Sequence, residues 1–123
     1  MQTLLKNIPD RRVVATVIWL PVLPSDNRRW AVRRTKEFAD DRVQYFWDGD
    51  RLTGRVWRSV LGLEGPLSWD TYFLYSHTAR WAEVPSTPDF WMHQLRLEAK
   101  FQELLLKEPV FERETRRLLE QIP

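Results

Sequence analysis

An apolar, β-branched run bounded by prolines is the feature that most constrains the fold of this chain. Residues 13–20 read VVATVIWL, without strict alternation of apolar and polar side chains. Such a run is typical of a strand covered on both faces, as in the middle of a parallel sheet. Pro21 and Pro24 follow, and the strand must end there because proline has no N–H for a ladder hydrogen bond. The sequence therefore predicts a central strand.

A helix and a second strand are predicted next. Ser25 or Asp26 can cap a helix over residues 27–39, and the apolar side of this helix would consist of Trp30, Val32 and Phe38. Residues 42–47 (RVQYFW) are aromatic and β-branched, and they run into the turn Asp48-Gly49-Asp50. Strand, helix and strand form a βαβ unit, so we expect the two strands to be adjacent and parallel.

The middle of the chain predicts a short helix and a hairpin. Residues 54–61 can form two helical turns that end at Gly62. Residues 69–75 (WDTYFLY) and 79–82 are separated by a short link, which indicates an antiparallel hairpin. We expect this hairpin to extend the sheet of the first two strands.

Two helices are predicted in the last third. Thr87 can be the N-cap and Pro88 the first residue of a long helix that reaches about residue 107. A final helix should cover residues 110–122. Together the two helices carry more apolar surface than one core contact requires. The final helix can fold back on the long helix within the chain, or this surface can pair across a two-fold axis, and a homodimer through the C-terminal helices is favoured.

Length and composition bound the class of protein. The chain has 123 residues, which predicts a single domain. It has no cysteine, so disulfides, thiolate nucleophiles and sulfur ligands are excluded. The longest apolar stretch, residues 13–23, is too short for a membrane span, and the N-terminus lacks an export signal. We therefore expect a cytoplasmic protein.

The order of these elements resembles the thioredoxin fold over residues 13–106. The resemblance implies that the domain core lies at about residues 13–106 and that the final helix, at about residues 110–122, is an extension. The segments WDGD, WDTYFLY and DFWMHQL are also similar to uncharacterised bacterial thioredoxin-like proteins that lack the cysteine pair. The resemblance implies an α/β fold with a central mixed sheet of about four strands flanked by helices. VIWLPVLPSDN stands where the family has its redox turn, so the resemblance implies a redox-inactive member. It also implies a cis peptide bond before Pro66.

The candidate site is the crevice beyond the carboxyl ends of the parallel strands, where open α/β sheets bind ligands. Asp26, Asp48 and Asp50 could hold a hard cation or share a proton there, although a helix cap for Asp26 and turn positions for Asp48 and Asp50 are favoured. Trp91 and His93 could stack on a ligand or wedge a helix against the sheet. The candidate binding residues are Pro24, Ser25, Asp26, Asp48, Pro66, Trp91 and His93.

A basic cluster precedes the second strand. Its members are Arg28, Arg29, Arg33, Arg34 and Lys36. Guanidinium groups fork onto phosphates, so this cluster could hold them. The acidic residues that follow, Glu37, Asp40, Asp41, Asp48 and Asp50, are expected to balance the charge, and the net charge is only +2. On these grounds the sequence argues against nucleic-acid binding.

The leading interpretation is a redox-inactive thioredoxin-like domain that acts as a binding or interaction module for an unidentified protein or small-molecule partner. The alternative is a non-thiol enzyme that uses the carboxylates of Asp26 and Asp48. No metal site, cofactor or membrane attachment is expected, since neither histidine stands at ligand spacing and no nucleotide-binding motif is present.

Overall fold

The computed structural model describes all residues, 1–123, and divides them into two compact units. Met1–Thr53 is called the N-terminal unit below, and Gly54–Pro123 the C-terminal unit. The single-domain prediction stays a prediction. The elements in chain order are α1 (Gln2–Asn7), β1 (Ala15–Trp19), α2 (Arg28–Lys36), β2 (Val43–Trp47), α3 (Leu52–Leu61), β3 (Thr71–Leu74), β4 (Phe90–His93), a 3-10 helix (Ala99–Leu104) and α4 (Glu108–Glu120).

The N-terminal unit is built on a parallel pair of strands. β1 and β2 pair in register from Ala15 with Val43 to Trp19 with Trp47, which confirms the predicted adjacent, parallel arrangement. The sheet contains only these two strands, so β1 is not a central strand. One face of the pair is left open, because Phe46 on β2 is 53% exposed.

α2 covers the face opposite Phe46. The Tyr45 hydroxyl on β2 donates to the Phe38 carbonyl just after α2, at 3.0 Å. The only buried residue of α2 is Ala31, whereas Trp30 and Val32 are 44% and 42% exposed. The predicted apolar side of this helix is therefore wrong, because the small Ala31 makes the close approach.

The N-terminal helix was not predicted, and a polar side chain fastens it. Arg42 lies just before β2, and its guanidinium donates to the carbonyls of Leu5 (2.7 Å) and Ile8 (2.6 Å) and to the Asp40 carboxylate (2.7 Å). Leu5 and Ile8 are each 1% exposed. One arginine thus satisfies carbonyls at the C-terminal end of α1 while the helix buries its apolar residues.

The C-terminal unit has its own sheet, and here the predicted fold is wrong. β3 pairs antiparallel with β4, from Thr71 with His93 to Leu74 with Phe90. The antiparallel direction is confirmed, but the partner is not residues 79–82, and the long helix from residue 88 does not form. The molecule has two sheets of two strands each and no four-stranded central sheet.

Covers on both faces explain why the segment around β4 is a strand. Phe73 on β3 stacks on Trp57 of α3, with ring centroids 5.4 Å apart. On the other face, Tyr72 and Phe90 each contact Phe111 of α4, with centroids 6.2 Å apart. A segment with large side chains on alternate sides is stabilised between two covers, and this outweighs its helical spacing of apolar residues.

Three further predictions concern the end of α3, the final helix and the peptide bond before Pro66. α3 ends at Gly62, as predicted, and the glycine adopts a φ of 66° while Leu63 N–H donates to the Arg58 carbonyl at 3.0 Å. α4 confirms the final helix and buries Phe111 and Leu118. The structure contains no cis peptide bond, so the prediction for Pro66 is wrong. No helix combines the length and apolar character needed to cross a membrane.

Candidate functional site

The predicted crevice residues fall into both units. Pro24, Ser25, Asp26 and Asp48 belong to the N-terminal unit, and Pro66, Trp91 and His93 to the C-terminal unit. In the N-terminal unit, the two predicted loops leave the same edge of the parallel pair, since Asp48 N–H donates to the Trp19 carbonyl at 2.8 Å. The edge predicted from the sequence is therefore present.

Asp26 holds the loop after β1. Its Oδ2 accepts hydrogen bonds from the backbone N–H groups of Leu23 (2.7 Å) and Val22 (2.9 Å). These two bonds, with that from Leu23 the stronger, lower the pKa of Asp26. Pro24 and Ser25 form the exposed turn that this carboxylate closes. The helix cap is Asn27 instead, whose side chain accepts from Trp30 N–H at 3.0 Å.

Asp48 organises the start of α3. Its Oδ1 accepts from Leu52 N–H at 3.0 Å, and its Oδ2 accepts from Thr53 N–H at 2.8 Å and from the Thr53 hydroxyl at 2.6 Å. Free N–H groups at a helix start are the usual partners of an aspartate at this position. Both oxygens of this candidate catalytic group are thus engaged with the first turn of α3.

His93 is fully buried, with 0% exposure, and both ring nitrogens are used. Nδ1 accepts from Leu95 N–H at 3.0 Å, so Nε2 must carry the proton that is donated to the Phe101 carbonyl at 2.9 Å. The same residue's carbonyl accepts from Leu106 N–H at 2.8 Å. The imidazole therefore ties β4 to the 3-10 helix that follows.

Trp91 and Pro66 complete the predicted set. Trp91 is half-buried, and its ring lies 5.8 Å from that of His93 and 5.6 Å from that of Phe101. Because the predicted helix does not form, Trp91 and His93 lie on β4, and their rings pack against the 3-10 helix that follows instead of wedging a helix of their own against the sheet. Pro66 is exposed in the loop before β3. No three His, Asp or Glu side chains are grouped so as to hold a metal ion.

Sequence reasoning gave little weight to a surface on α2, called the α2 basic face below. It consists of the exposed side chains Arg28, Arg29, Trp30, Arg33, Arg34 and Lys36. The Arg34 guanidinium lies 5.1 Å from the centre of the Trp30 ring, and its other partner is Glu37 at 2.9 Å. The signal that could have identified this surface is the run RRWAVRRTK, in which only one small residue is available for burial.

Comparisons with known proteins identify no relative: no protein-family model, curated protein or solved structure matches the chain. The resemblance to thioredoxin-like proteins stays a prediction, while the four-stranded sheet that it implied is wrong.

Proposed function

We propose that this protein is a non-catalytic binding module. The observation that carries the proposal is that the three titratable side chains predicted to line the crevice are engaged in local contacts within the chain. Asp26 closes a turn, Asp48 caps α3 and His93 bridges two segments through both nitrogens. A general acid or base must have a lone pair or proton directed at a substrate. Both ring nitrogens of His93, both carboxylate oxygens of Asp48 and Oδ2 of Asp26 are directed at the chain itself.

The exposed side chains support the same proposal. Large apolar residues are exposed in both units, among them Leu23 (61%), Phe46 (53%) and Trp81 (58%). Single exposed apolar residues are ordinary, but aromatic rings and arginines at a surface are the side chains that binding interfaces favour. The sequence predicts a protein or small-molecule partner, whereas the basic residues of α2 favour an anionic ligand. A cytoplasmic location is part of the proposal.

A stability measurement on Asp48 tests the proposal. If Asp48 is a cap, replacing it with alanine leaves the N–H groups of Leu52 and Thr53 unpaired and lowers the free energy of unfolding by about 1 kcal/mol. Urea denaturation of Asp48→Ala beside the wild type gives this difference.

Asp50 provides the matched control, because it lies in the same turn and is exposed. Asp50→Ala should change the free energy of unfolding by less than about 0.5 kcal/mol. A carboxylate held ready for chemistry is often a strained group whose removal stabilises the fold. An Asp48→Ala variant as stable as the wild type, or more stable, would contradict the module and support the carboxylate enzyme.

The homodimer stays a prediction with a weaker basis. The long helix that was to supply much of its apolar surface is absent, and α4 buries Phe111 and Leu118 inside the C-terminal unit at 9% and 8% exposure. Light scattering coupled to size exclusion tests it, since the mass of a single chain at all concentrations would contradict a dimer.

A further inference from the structure

The α2 basic face carries cations that have no anionic partner in the protein. Arg28, Arg29, Arg33 and Lys36 are exposed, and of the basic residues of α2 only Arg34 forms an ion pair, with Glu37. Arg29, Arg33 and Lys36 are spaced i, i+4 and i+7, so they lie along one side of the helix over about 10 Å. The face is a continuous stripe of unpaired positive charge.

Three of the five acidic residues expected to neutralise this stripe are engaged elsewhere, and Glu37 pairs with Arg34. Asp40 pairs with Arg42 at 2.7 Å and Asp41 with Arg11 at 2.6 Å, while Asp48 caps α3. The N-terminal unit has ten Lys and Arg against seven Asp and Glu, a net charge of +3, and the C-terminal unit has nine against ten, a net charge of −1. The modest charge of the whole chain hides this separation.

The stripe is also unfavourable for the helix that carries it. Arg28 and Arg29 occupy the first turn, where the helix dipole already places positive potential, and no acidic residue is present there. Arg29 and Arg33 are like charges at i and i+4, which repel. A bound polyanion would remove both penalties, so the arrangement suits an anionic ligand better than the free protein.

Trp30 distinguishes among polyanions. Its ring is 44% exposed and is held by Arg34 and Trp19. The Trp19 ring centroid is 5.9 Å away, and the angle between the two ring planes is 86°. An exposed, fixed indole beside a row of cations is the arrangement on which unpaired bases stack. A membrane-surface helix needs an apolar face, but Trp30 and Val32 are about 160° apart around α2, with Arg29, Arg33 and Lys36 between them.

We propose that the α2 basic face binds single-stranded nucleic acid. Arg28, Arg29, Arg33 and Lys36 contact successive phosphates, and the Trp30 ring stacks on a base. Binding is governed by the backbone charge and by stacking, without base-specific hydrogen bonds. The inference rests on the proposed non-catalytic binding function and names the class of ligand. It departs from the expectation against nucleic acid, which rested on the neighbouring acidic residues and on the small net charge of the whole chain.

Fluorescence anisotropy with a labelled oligothymidylate of about 12 nucleotides tests the proposal. With four phosphate contacts, the logarithm of the association constant should fall against the logarithm of salt concentration with a slope of about −3. The double variant Arg29→Gln/Arg33→Gln should bind at least about tenfold more weakly at low salt and reduce the slope by about 1.4.

The matched control is Arg11→Gln/Arg12→Gln, which removes the same charge from the same unit at two arginines already paired with Asp41 and Asp10. It should bind within about twofold of the wild type if contact, rather than net charge, governs binding. Trp30→Ala should weaken binding, and Trp30→Phe should restore part of it because stacking needs only a ring. Circular dichroism checks that each variant is folded. If Arg29→Gln/Arg33→Gln is not folded, Arg28→Gln/Lys36→Gln takes its place.

Three results would overturn the proposal: absence of binding at low salt, equal loss in the control pair, or full affinity in Trp30→Ala. Sedimentation with vesicles of phosphatidylserine and phosphatidylcholine, without oligonucleotide binding, would assign the face to a membrane instead. Failure of any of these tests leaves the Asp48→Ala result, and hence the non-catalytic function, unaffected.

Discussion

The two units cover their sheets in different ways. In the N-terminal unit, α2 approaches one side of the parallel pair through Ala31, while Phe46 on β2 and Val14 just before β1 stay 53% and 77% exposed. In the C-terminal unit, Trp57 and Phe111 supply aromatic covers from α3 and α4 to the two faces of the antiparallel pair. Parallel strands are usually buried on both faces, so the N-terminal pair is the less protected one.

This difference shows which interactions hold the segments of each unit together. Around the N-terminal pair, polar groups such as the Arg42 guanidinium bind the surrounding segments together. Around the C-terminal pair, buried side chains such as Met92 and His93, at 1% and 0% exposure, do so. We expect the C-terminal unit to lose most from a deleted buried side chain, and the N-terminal unit from a changed charge.

The largest effect is expected from His93→Ala. The substitution removes a fully buried ring and leaves Leu95 N–H and the Phe101 carbonyl without partners. The free energy of unfolding should fall by about 3 kcal/mol, measured by urea denaturation. His77→Ala is the control, since His77 is exposed, and should change it by less than about 0.5 kcal/mol. If His93→Ala lowers the free energy of unfolding by less than about 1 kcal/mol, His93 does not contribute to the stability of this unit as proposed.

A smaller and more local effect is expected from Arg42→Lys. A lysine keeps the charge but not the planar fork, so it cannot reach Leu5, Ile8 and Asp40 together. Amide hydrogen exchange of α1 should accelerate, while β3 and β4 remain protected.

Arg12→Lys is the matched control for this change, because Arg12 pairs with Asp10 at the surface. It should leave the exchange of α1 as in the wild type. Equal protection of α1 in Arg42→Lys would show that the apolar contacts of Leu5 and Ile8 hold the helix without the guanidinium.

The smallest effect concerns acid, and Asp40 in the N-terminal unit and Asp70 in the C-terminal unit should contribute with opposite sign. Glu114 in the C-terminal unit, whose pKa is lowered chiefly by its hydrogen bond from Arg117, contributes with the same sign as Asp40. Hydrogen bonds from Arg42 lower the pKa of Asp40 to about 2, and those from Arg12 lower the pKa of Asp10 to about 2. These carboxylates stabilise the folded state above the ordinary aspartate value of 3.8, and the stabilisation is lost as pH falls toward 2. Partial desolvation raises the pKa of Asp70 in the C-terminal unit, so protonation there favours the folded state as pH falls.

Hydrogen exchange followed by NMR between about pH 5 and about pH 2 can separate the two responses. Asp40→Asn should reduce the acid sensitivity of the N-terminal unit, and Asp70→Asn should remove the opposite trend in the C-terminal unit. An acid response of the C-terminal unit that is the same in Asp70→Asn as in the wild type would contradict the role given to Asp70.

Local patterns predicted much of the N-terminal unit. The β-branched run and RVQYFW indicated β1 and β2, and the short loops around α2 required the strands to be parallel. The helix cap is Asn27, the residue after the predicted Asp26. The sequence could not distinguish the two, because aspartate and asparagine are equally good cap residues. α1 was missed because the side chain that fastens it, Arg42, lies far from it along the chain.

The C-terminal unit was harder to predict because its covers are distant in sequence. Trp91 and Met92 were placed on a helix by the spacing of Phe90, Leu97 and Phe101, but pairing with β3 and the covers from α3 and α4 make this segment a strand. The candidate site shows the same limit. Residue types indicated Asp26, Asp48 and His93 as candidate site residues. Their hydrogen-bond partners decide what these groups can do, and the sequence does not reveal those partners.

The registers of the two strand pairs have a consequence for the order of folding. Ala15 pairs with Val43 and Trp19 with Trp47, so every contact of the parallel pair joins residues at the same sequence separation, and none can form early at lower cost. In the antiparallel pair the separation is largest between Thr71 and His93 and smallest between Leu74 and Phe90. Shorter loops lose less chain entropy on closure. The antiparallel pair can therefore close from its inner end one contact at a time, whereas the parallel pair must cross its whole entropic barrier at the first contact.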